Sequence, residues 1–295
     1  MNSSSRSAVL TIVLAVLAAL GLAWAVSQGG ADVLGIPVFA GAVVLAFAVQ
    51  WTAFVPAYLQ QSERFFDITG SVTYVLVTGL AVALSWKVDA RSLLLACLIC
   101  IWAIRLGTFL LRRVHRAGSD ARFDQIKPSI PRFLMTWTLQ GLWISFTLAA
   151  ALAAITSVVR VPLDALAWTG LAIWMCGFSI EVLADAQKAR FRSNPANKGH
   201  FIQSGLWAWS RHPNYFGEIV LWFGVAIIAL PVLRGWQWLS LISPLFVTLL
   251  ITRISGIPLL EKRADEKWAG QDTYEGYKAG TSVLIPWPPR RTARK

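Results

Sequence analysis

The sequence predicts an all-α polytopic transmembrane helical bundle, on three observations. Apolar residues make up 56% of the 295-residue chain and charged ones only 14%, against about 25% charged in an ordinary soluble domain. The apolar residues fall in long blocks, and a run of about 20 is what a helix needs to cross the hydrocarbon core. The cations gather in alternate loops. In lipid only helices or closed barrels satisfy the backbone, and these blocks are too long for barrel strands.

Taken in order, the blocks place eight spans at 8–26, 36–58, 68–86, 91–111, 134–156, 163–184, 215–233 and 236–254. The first has the look of a signal peptide, with Arg6, an apolar core and the small residues Ala23 and Ala25. Its apolar stretch is long for that role, so it is kept as a span; cleavage there leaves seven. The last two are parted only by a turn near Pro231 and Gly235. A single integral membrane domain is expected over 1–295, without soluble domain or repeat. Three polar segments interrupt it, 112–132, 185–214 and 255–295, and the prolines of the first argue against a continuous helix there.

A net charge of +12 raises the question of nucleic acid, and the placement of the charge answers it. Arg6, Arg64 and the cations of 112–132, 188–211 and 253–295 fall on one side of the predicted membrane. The other side holds only Lys87, Arg91, Arg160 and Arg234, and Arg105 lies within a span. The positive-inside rule makes the first side cytoplasmic, with both termini and all three polar segments on it. No nucleic-acid partner and no obligate protein partner are expected; the partners are membrane lipids and a lipophilic small molecule from the bilayer.

Cys97, Cys100 and Cys176 all lie in predicted spans. Cys97 and Cys100 have CxxC spacing, but in an apolar helix without acidic or His neighbours they read as packing residues. The three histidines lack ligand spacing, so no metal is expected.

Three polar clusters can carry chemistry. In the first, Glu181, Asp185, Lys188 and Arg192 follow one another along a helix face. Carboxylates at the end of a membrane helix are costly unless paired or facing a polar cavity. They form either a snorkelling helix end with ion pairs or the wall of a site for a hydroxyl-rich, phosphate-bearing ligand. The second cluster brings Arg211, His212, Asn214, Tyr215 and Glu218 together at a membrane boundary. There Pro213 breaks the chain and Gly217 permits a close approach. It reads as an interfacial turn or as a binding loop. The third holds Glu261 and Lys262, then Tyr274 and Tyr277. It is either a lid over a cavity or a basic tail attracted to anionic lipid.

The segments EVLADAQKARF, GLWAWSRHPNYFGEIVLWFG, GIPLLEKR, YEGYK and LIPWPP, with FDITGS and RAGSDARFDQIK upstream, resemble the carboxy-terminal domain of the steroid 5-alpha reductase family. The resemblance is nearest to a bacterial branch described only as a domain of unknown function, and it covers roughly 60–290. The RHPNYFGE element is shared in related forms by sterol reductases and isoprenylcysteine carboxyl methyltransferases. The resemblance implies a bacterial inner-membrane protein that holds NADPH from the cytoplasmic side. It implies cofactor contacts at Arg112, Arg113, Glu181, Asp185, Arg192, Asn214, Glu218 and Tyr277. Lys188, Arg211, His212 and Tyr215 join them from the clusters above.

The resemblance departs at the catalytic positions. Steroid reductases polarise the enone carbonyl with a Gln-Glu pair and a later Tyr. By spacing those positions fall on Phe66, Asp67 and Ile101, so only a shorter acid is kept. Asp67, in its acid form, is the candidate hydrogen-bond donor. Tyr74, two turns along the same helix face, is the candidate for the missing hydroxyl or else a packed core residue. The expected function is NADPH-dependent reduction of a carbon–carbon double bond in a steroid- or lipid-like substrate. An S-adenosylmethionine-dependent methyltransferase and a non-catalytic lipid-binding protein are the alternatives.

Overall fold

The computed structural model describes residues 3–117 and 123–289, with side chains of 113–117 left aside. Eight helical stretches are long and apolar enough to cross a membrane, as an integral multi-pass membrane protein requires: Ser4–Ser27, Val38–Leu59, Phe66–Ala83, Ala90–Arg112, Ile130–Thr156, Ala165–Ser193, Pro213–Val232 and Gly235–Trp268. The first four and the seventh lie close to the stretches expected from hydropathy. The fifth starts four residues early, where Pro131 occupies the first turn, a position that needs no N–H.

The sixth and eighth run further than their apolar blocks. Helix α6 (Ala165–Ser193) continues through the polar residues 185–193. Ala, Gln, Lys and Arg are good helix formers, and the charges there alternate at helical spacing. The eighth stretch is a composite. It opens as a 3-10 turn over Gly235–Leu241, becomes α8 (Ile242–Leu249), widens to a π turn at Leu250–Ile254, and restarts as α9 (Ile257–Trp268). Pro258 sits in the first turn of α9. The short helix α10 (Asp272–Gly280) follows.

The residues form two compact units, Met1–Ala167 with Ile228–Ser243, and Trp168–Ile227 with Pro244–Lys295. The first unit holds α1 (Ser3–Ser27), a two-residue-strand hairpin, α2 (Val38–Leu59), α3 (Phe66–Ala83), α4 (Ala90–Ala117) and α5 (Ile130–Thr156). Helix α5 is its axis, packed on α1, α2, α3 and α4. Its run Ala149 to Ile155 is almost wholly inaccessible, because alanines let the neighbouring helices come close.

At one end of this unit an aromatic cluster forms. Phe66 meets Phe123, Trp137 and Trp143 edge to face, and Lys127 pairs with Glu63 at 2.7 Å. The hydrogen bond to Glu63 holds the Lys127 ammonium above its ordinary range. At the other end Arg91, 2% exposed, is saturated. Its guanidinium donates to the carbonyls of Val161, Ile228 and Pro162 and to Asp164.

The second unit is built on the crossing of α6 with α7 (Pro213–Ala229). A Cβ added at Gly177 would stand 2.6 Å from the Gly217 carbonyl, and one at Gly224 2.6 Å from the Gly170 carbonyl. Two glycines seven residues apart on each helix therefore bring the two backbones into contact.

Candidate functional site

The α6–α7 crossing positions most of the residues singled out from the sequence. Glu181 and Asp185, one turn apart on α6, are both buried. Asn214, in the first turn of α7, donates from Nδ2 to Asp185 Oδ1 at 3.3 Å. Gly217 does permit a close approach, but what approaches is the backbone of α6, against Gly177 and Glu181.

Just before α7, Arg211 and His212 converge on Glu261 from α9. Arg211 Nη2 lies 3.1 Å from one carboxylate oxygen and His212 Nε2 2.7 Å from the other. The His212 ring stacks on Tyr215, with centroids 5.8 Å apart and planes at 16°. Burial holds the His212 imidazole below its ordinary value, helped by the charges of Lys188 and Arg211; Glu261 pulls the other way without prevailing. A neutral His212 bonded to a carboxylate through Nε2 carries its proton there, which leaves Nδ1 as an acceptor.

Three buried atoms of this pair have no protein partner: Arg211 Nε, Arg211 Nη1 and His212 Nδ1. A buried guanidinium with one edge on a carboxylate and two N–H groups unclaimed suits a second anion. Beside it, Lys188 lies over the Trp207 ring at 4.1 Å, and the Tyr277 hydroxyl donates to the Trp207 carbonyl at 2.7 Å. Burial pushes the Tyr277 phenol up, so it stays a neutral donor. Trp207 in turn donates to the Ala184 carbonyl. The cap is closed by Tyr274, which donates to Asp265 at 2.8 Å. Asp265 also takes Lys278 at 2.6 Å.

Of the expected contacts, Asp185 pairs with Asn214, Arg211 and His212 meet on Glu261 with Tyr215 stacked on His212, and Lys188 and Tyr277 meet on Trp207. Glu181 is buried on the same helix, Glu218 is half-buried on α7, and Arg192 is exposed at the end of α6. Arg112 is exposed near the end of α4 in the first unit; Arg113 lies outside the described side chains. Among the described residues no group of three or more His, Cys, Asp or Glu could hold a metal ion.

The catalytic candidates lie in the first unit. Asp67 is half-buried in the first turn of α3. Tyr74 is buried, edge-on to Trp102 with centroids 5.1 Å apart. Ile101, the position that family spacing gives to a tyrosine, faces outward and is 49% exposed. Phe66, at the family's Gln position, belongs to the aromatic core.

Two residues that the sequence reading passed over bond to that same helix, α3, from two others. Gln140 of α5 donates from Nε2 to the Phe66 carbonyl across Gly70, where a Cβ would come within 2.5 Å of it. Gln50 of α2 donates to Thr73 Oγ1 at 2.8 Å. The carbonyl oxygens of both amides are buried without a protein partner. Glu261 of the third polar cluster, not among the expected cofactor contacts, is the residue on which Arg211 and His212 meet. An apolar recess of about 280 Å³ opens between α3 and α4, lined by Ile68, Ser71, Val72, Ile104, Gly107 and Thr108 among others.

The family model for a protein of unknown function, DUF1295, matches residues 53–281. The chain belongs to that family. It is also 24% identical over 186 residues to an uncharacterized protein of Schizosaccharomyces pombe, covering 52% of this chain and 54% of that one. It is 29% identical over 121 residues to 3-oxo-5-alpha-steroid 4-dehydrogenase 1 of Rattus norvegicus, and 30% identical to the Mus musculus protein of the same name. Those two matches cover 40% of this chain, and 40% and 41% of the two enzymes. The chain therefore spans about half or less of the curated relatives it matches. No solved structure gives a match.

Proposed function

We propose that this protein is a membrane-embedded, NADPH-dependent reductase of a carbon–carbon double bond in a lipophilic substrate drawn from the bilayer. The observation that carries the reading is the Arg211 side chain, buried and fixed on Glu261 by one nitrogen while two others lack a protein partner. The names of the two mammalian relatives supply the reaction class, a steroid dehydrogenase.

NADPH, when bound, supplies the hydride. The chain's own groups bind, orient and polarise. Arg211 offers the N–H groups of Nε and Nη1, which point to different sides of its guanidinium, to phosphate oxygens, while Glu261 keeps the side chain in place. Lys188 and Arg192 add positive charge along α6, and Arg112 and Arg113 are further phosphate candidates by resemblance. Asp185 and Asn214 offer an acceptor and a donor to ribose hydroxyls or a carboxamide, with Glu181 and Glu218 as further acceptors. The stacked His212–Tyr215 pair and the Tyr277 ring offer flat surfaces. Asp67, with Tyr74 on the same helix, polarises the substrate carbonyl and supplies a proton to the developing enolate. In this reading the polar segments face the cytoplasm. A cysteine placed at Lys198 is then labelled by an impermeant reagent only after the membrane is opened.

The deciding experiment is single-turnover oxidation of NADPH by the purified protein in nanodiscs, against a panel of lipophilic enones. Oxidation with at least one enone is expected. Absence of oxidation with every enone, together with thermal stabilisation by S-adenosylmethionine and not by NADPH, overturns the reading in favour of a methyltransferase.

A further inference from the structure

Residues 281–287 run as a bent, irregular strap beside the segment that leads into α7. Ser210 and Ser282 form a parallel bridge. The Arg211 N–H donates to the Ser282 carbonyl at 2.8 Å, the Trp287 N–H to the Trp209 carbonyl at 3.0 Å, and Ser210 Oγ to the Leu284 carbonyl at 2.7 Å. The strap is thereby fastened two residues before Pro213, where a membrane span begins.

Exposure alternates along the strap, and the outward row is apolar. Val283, Ile285 and Trp287 are 42%, 62% and 67% exposed, and Trp209 beside them is 47% exposed. Four large apolar side chains on one small surface at a span boundary need a partner. Pro286, Pro288 and Pro289 lack N–H donors, which makes the strap a poor template for an added protein strand. A Trp-bearing row at a span boundary suits the membrane interface instead. Directly after it the sequence carries Arg290, Arg291, Arg294 and Lys295 with no acid among them. That charge is complementary to anionic headgroups.

We propose that this strap is a membrane-surface anchor, whose outward row lies at the headgroup boundary of an anionic leaflet and is held there by the cations that follow it. Because the strap carbonyls accept from the Ser210 hydroxyl and the Arg211 backbone N–H, lipid contact at 283–287 also steadies the loop that presents Arg211 and His212. The anchor itself does not depend on the reductase reading.

The test uses the full chain with Cys97, Cys100 and Cys176 replaced by alanine and an environment-sensitive fluorophore on Ile285→Cys, or on Val283→Cys as a second position. The protein is placed in nanodiscs of phosphatidylcholine alone or mixed with phosphatidylglycerol. With phosphatidylglycerol the label is expected to emit at shorter wavelength, to be quenched by brominated acyl chains and to be shielded from aqueous iodide. Each cation near an anionic surface is worth roughly fivefold in partitioning. Changing Arg290, Arg291, Arg294 and Lys295 to glutamine removes four such factors, several hundredfold together, and should therefore abolish the response to phosphatidylglycerol. Equal iodide quenching in both nanodiscs overturns the anchor. Equal acyl-chain quenching without phosphatidylglycerol overturns the role of the cations. Shielding from both quenchers, with cross-links between two labelled chains, assigns the surface to a second copy instead. No outcome involves nucleotide or substrate, so failure here is separate from failure of the reductase reading.

Discussion

The polar groups around Arg211 in the second unit and those around α3 in the first differ in kind. In the second unit they are ionic: Arg211 and His212 share Glu261, Lys278 shares Asp265 with Tyr274, and Lys188 lies on Trp207. Around α3 in the first unit many are neutral: Gln50 bonds Thr73, Trp51 bonds Thr138, and Gln140 bonds the Phe66 carbonyl. Charges next to water at a helix end can bind an anion at modest desolvation cost. Amides and hydroxyls deep among apolar helices can orient a neutral, lipophilic molecule without burying a charge. On the proposed reading the charged residues around Arg211 bind nucleotide and Asp67 polarises the substrate, and that division can be broken experimentally.

The largest effect is expected from the crossing that builds the second unit. In Gly217→Leu the new Cβ would stand 2.5 Å from the Gly177 carbonyl and 2.7 Å from the Glu181 nitrogen, both backbone atoms of α6. Neither can move without parting the helices. The cost should exceed the roughly 1–3 kcal/mol usual for overpacking, and the variant should lose its monodisperse peak in size-exclusion chromatography. A well-behaved Gly217→Leu protein would show that the α6–α7 contact is not what holds the site together.

Next in size is Asp67→Asn, which keeps shape and a hydrogen-bond donor but has no proton to give. Turnover should fall about a hundredfold, within the usual range for a general acid, while NADPH affinity stays unchanged. Tyr74→Phe should fall by a similar factor if the two act together. Unchanged hydride transfer in Asp67→Asn removes Asp67 as the proton source. A fall in nucleotide affinity in the same variant removes the division between the two units.

The smallest effect is a pH dependence. His212 is held below its ordinary value of 6.5 by burial, with Glu261 opposing and Lys188 and Arg211 reinforcing. The unfolded chain therefore takes up the proton first as pH falls. The stability due to neutral His212 is complete above about pH 6.5 and is lost as pH falls below it toward the depressed folded value. The slope is at most one proton's worth, about 1.4 kcal/mol per pH unit. Melting temperatures of the wild type and His212→Gln between pH 5 and 8 should converge at the acid end. A constant gap between them contradicts the assignment.

What could be read in advance follows the same division. The spans came from apolar run length, which the bilayer imposes directly. The second-unit residues announced themselves because charges at span ends are expensive and therefore meaningful. Glu261 was visible in GIPLLEKR, but nothing in the spacing said that it would meet Arg211 and His212 across 49 residues of chain. Gln50 and Gln140 were silent, since a single neutral amide hardly alters the hydropathy of a span. Their meaning depends on which helix faces them. Gly217 was read correctly as a point of close approach, but sequence cannot tell a cofactor from a helix backbone. The composite eighth stretch was also hidden, because a switch from 3-10 to α to π winding leaves no mark in hydropathy.

On the proposed reading the Arg211 cluster binds the 2′-phosphate that distinguishes NADPH from NADH, and titration calorimetry with the two nucleotides measures that contact. A charge-assisted contact is worth about 1.5–3 kcal/mol, so NADPH should bind roughly ten- to a hundredfold more tightly than NADH. Arg211→Met, which keeps length but no N–H group, should weaken NADPH by a similar factor. Equal dissociation constants for the two nucleotides, and an Arg211→Met protein that binds NADPH as the wild type does, would contradict the account.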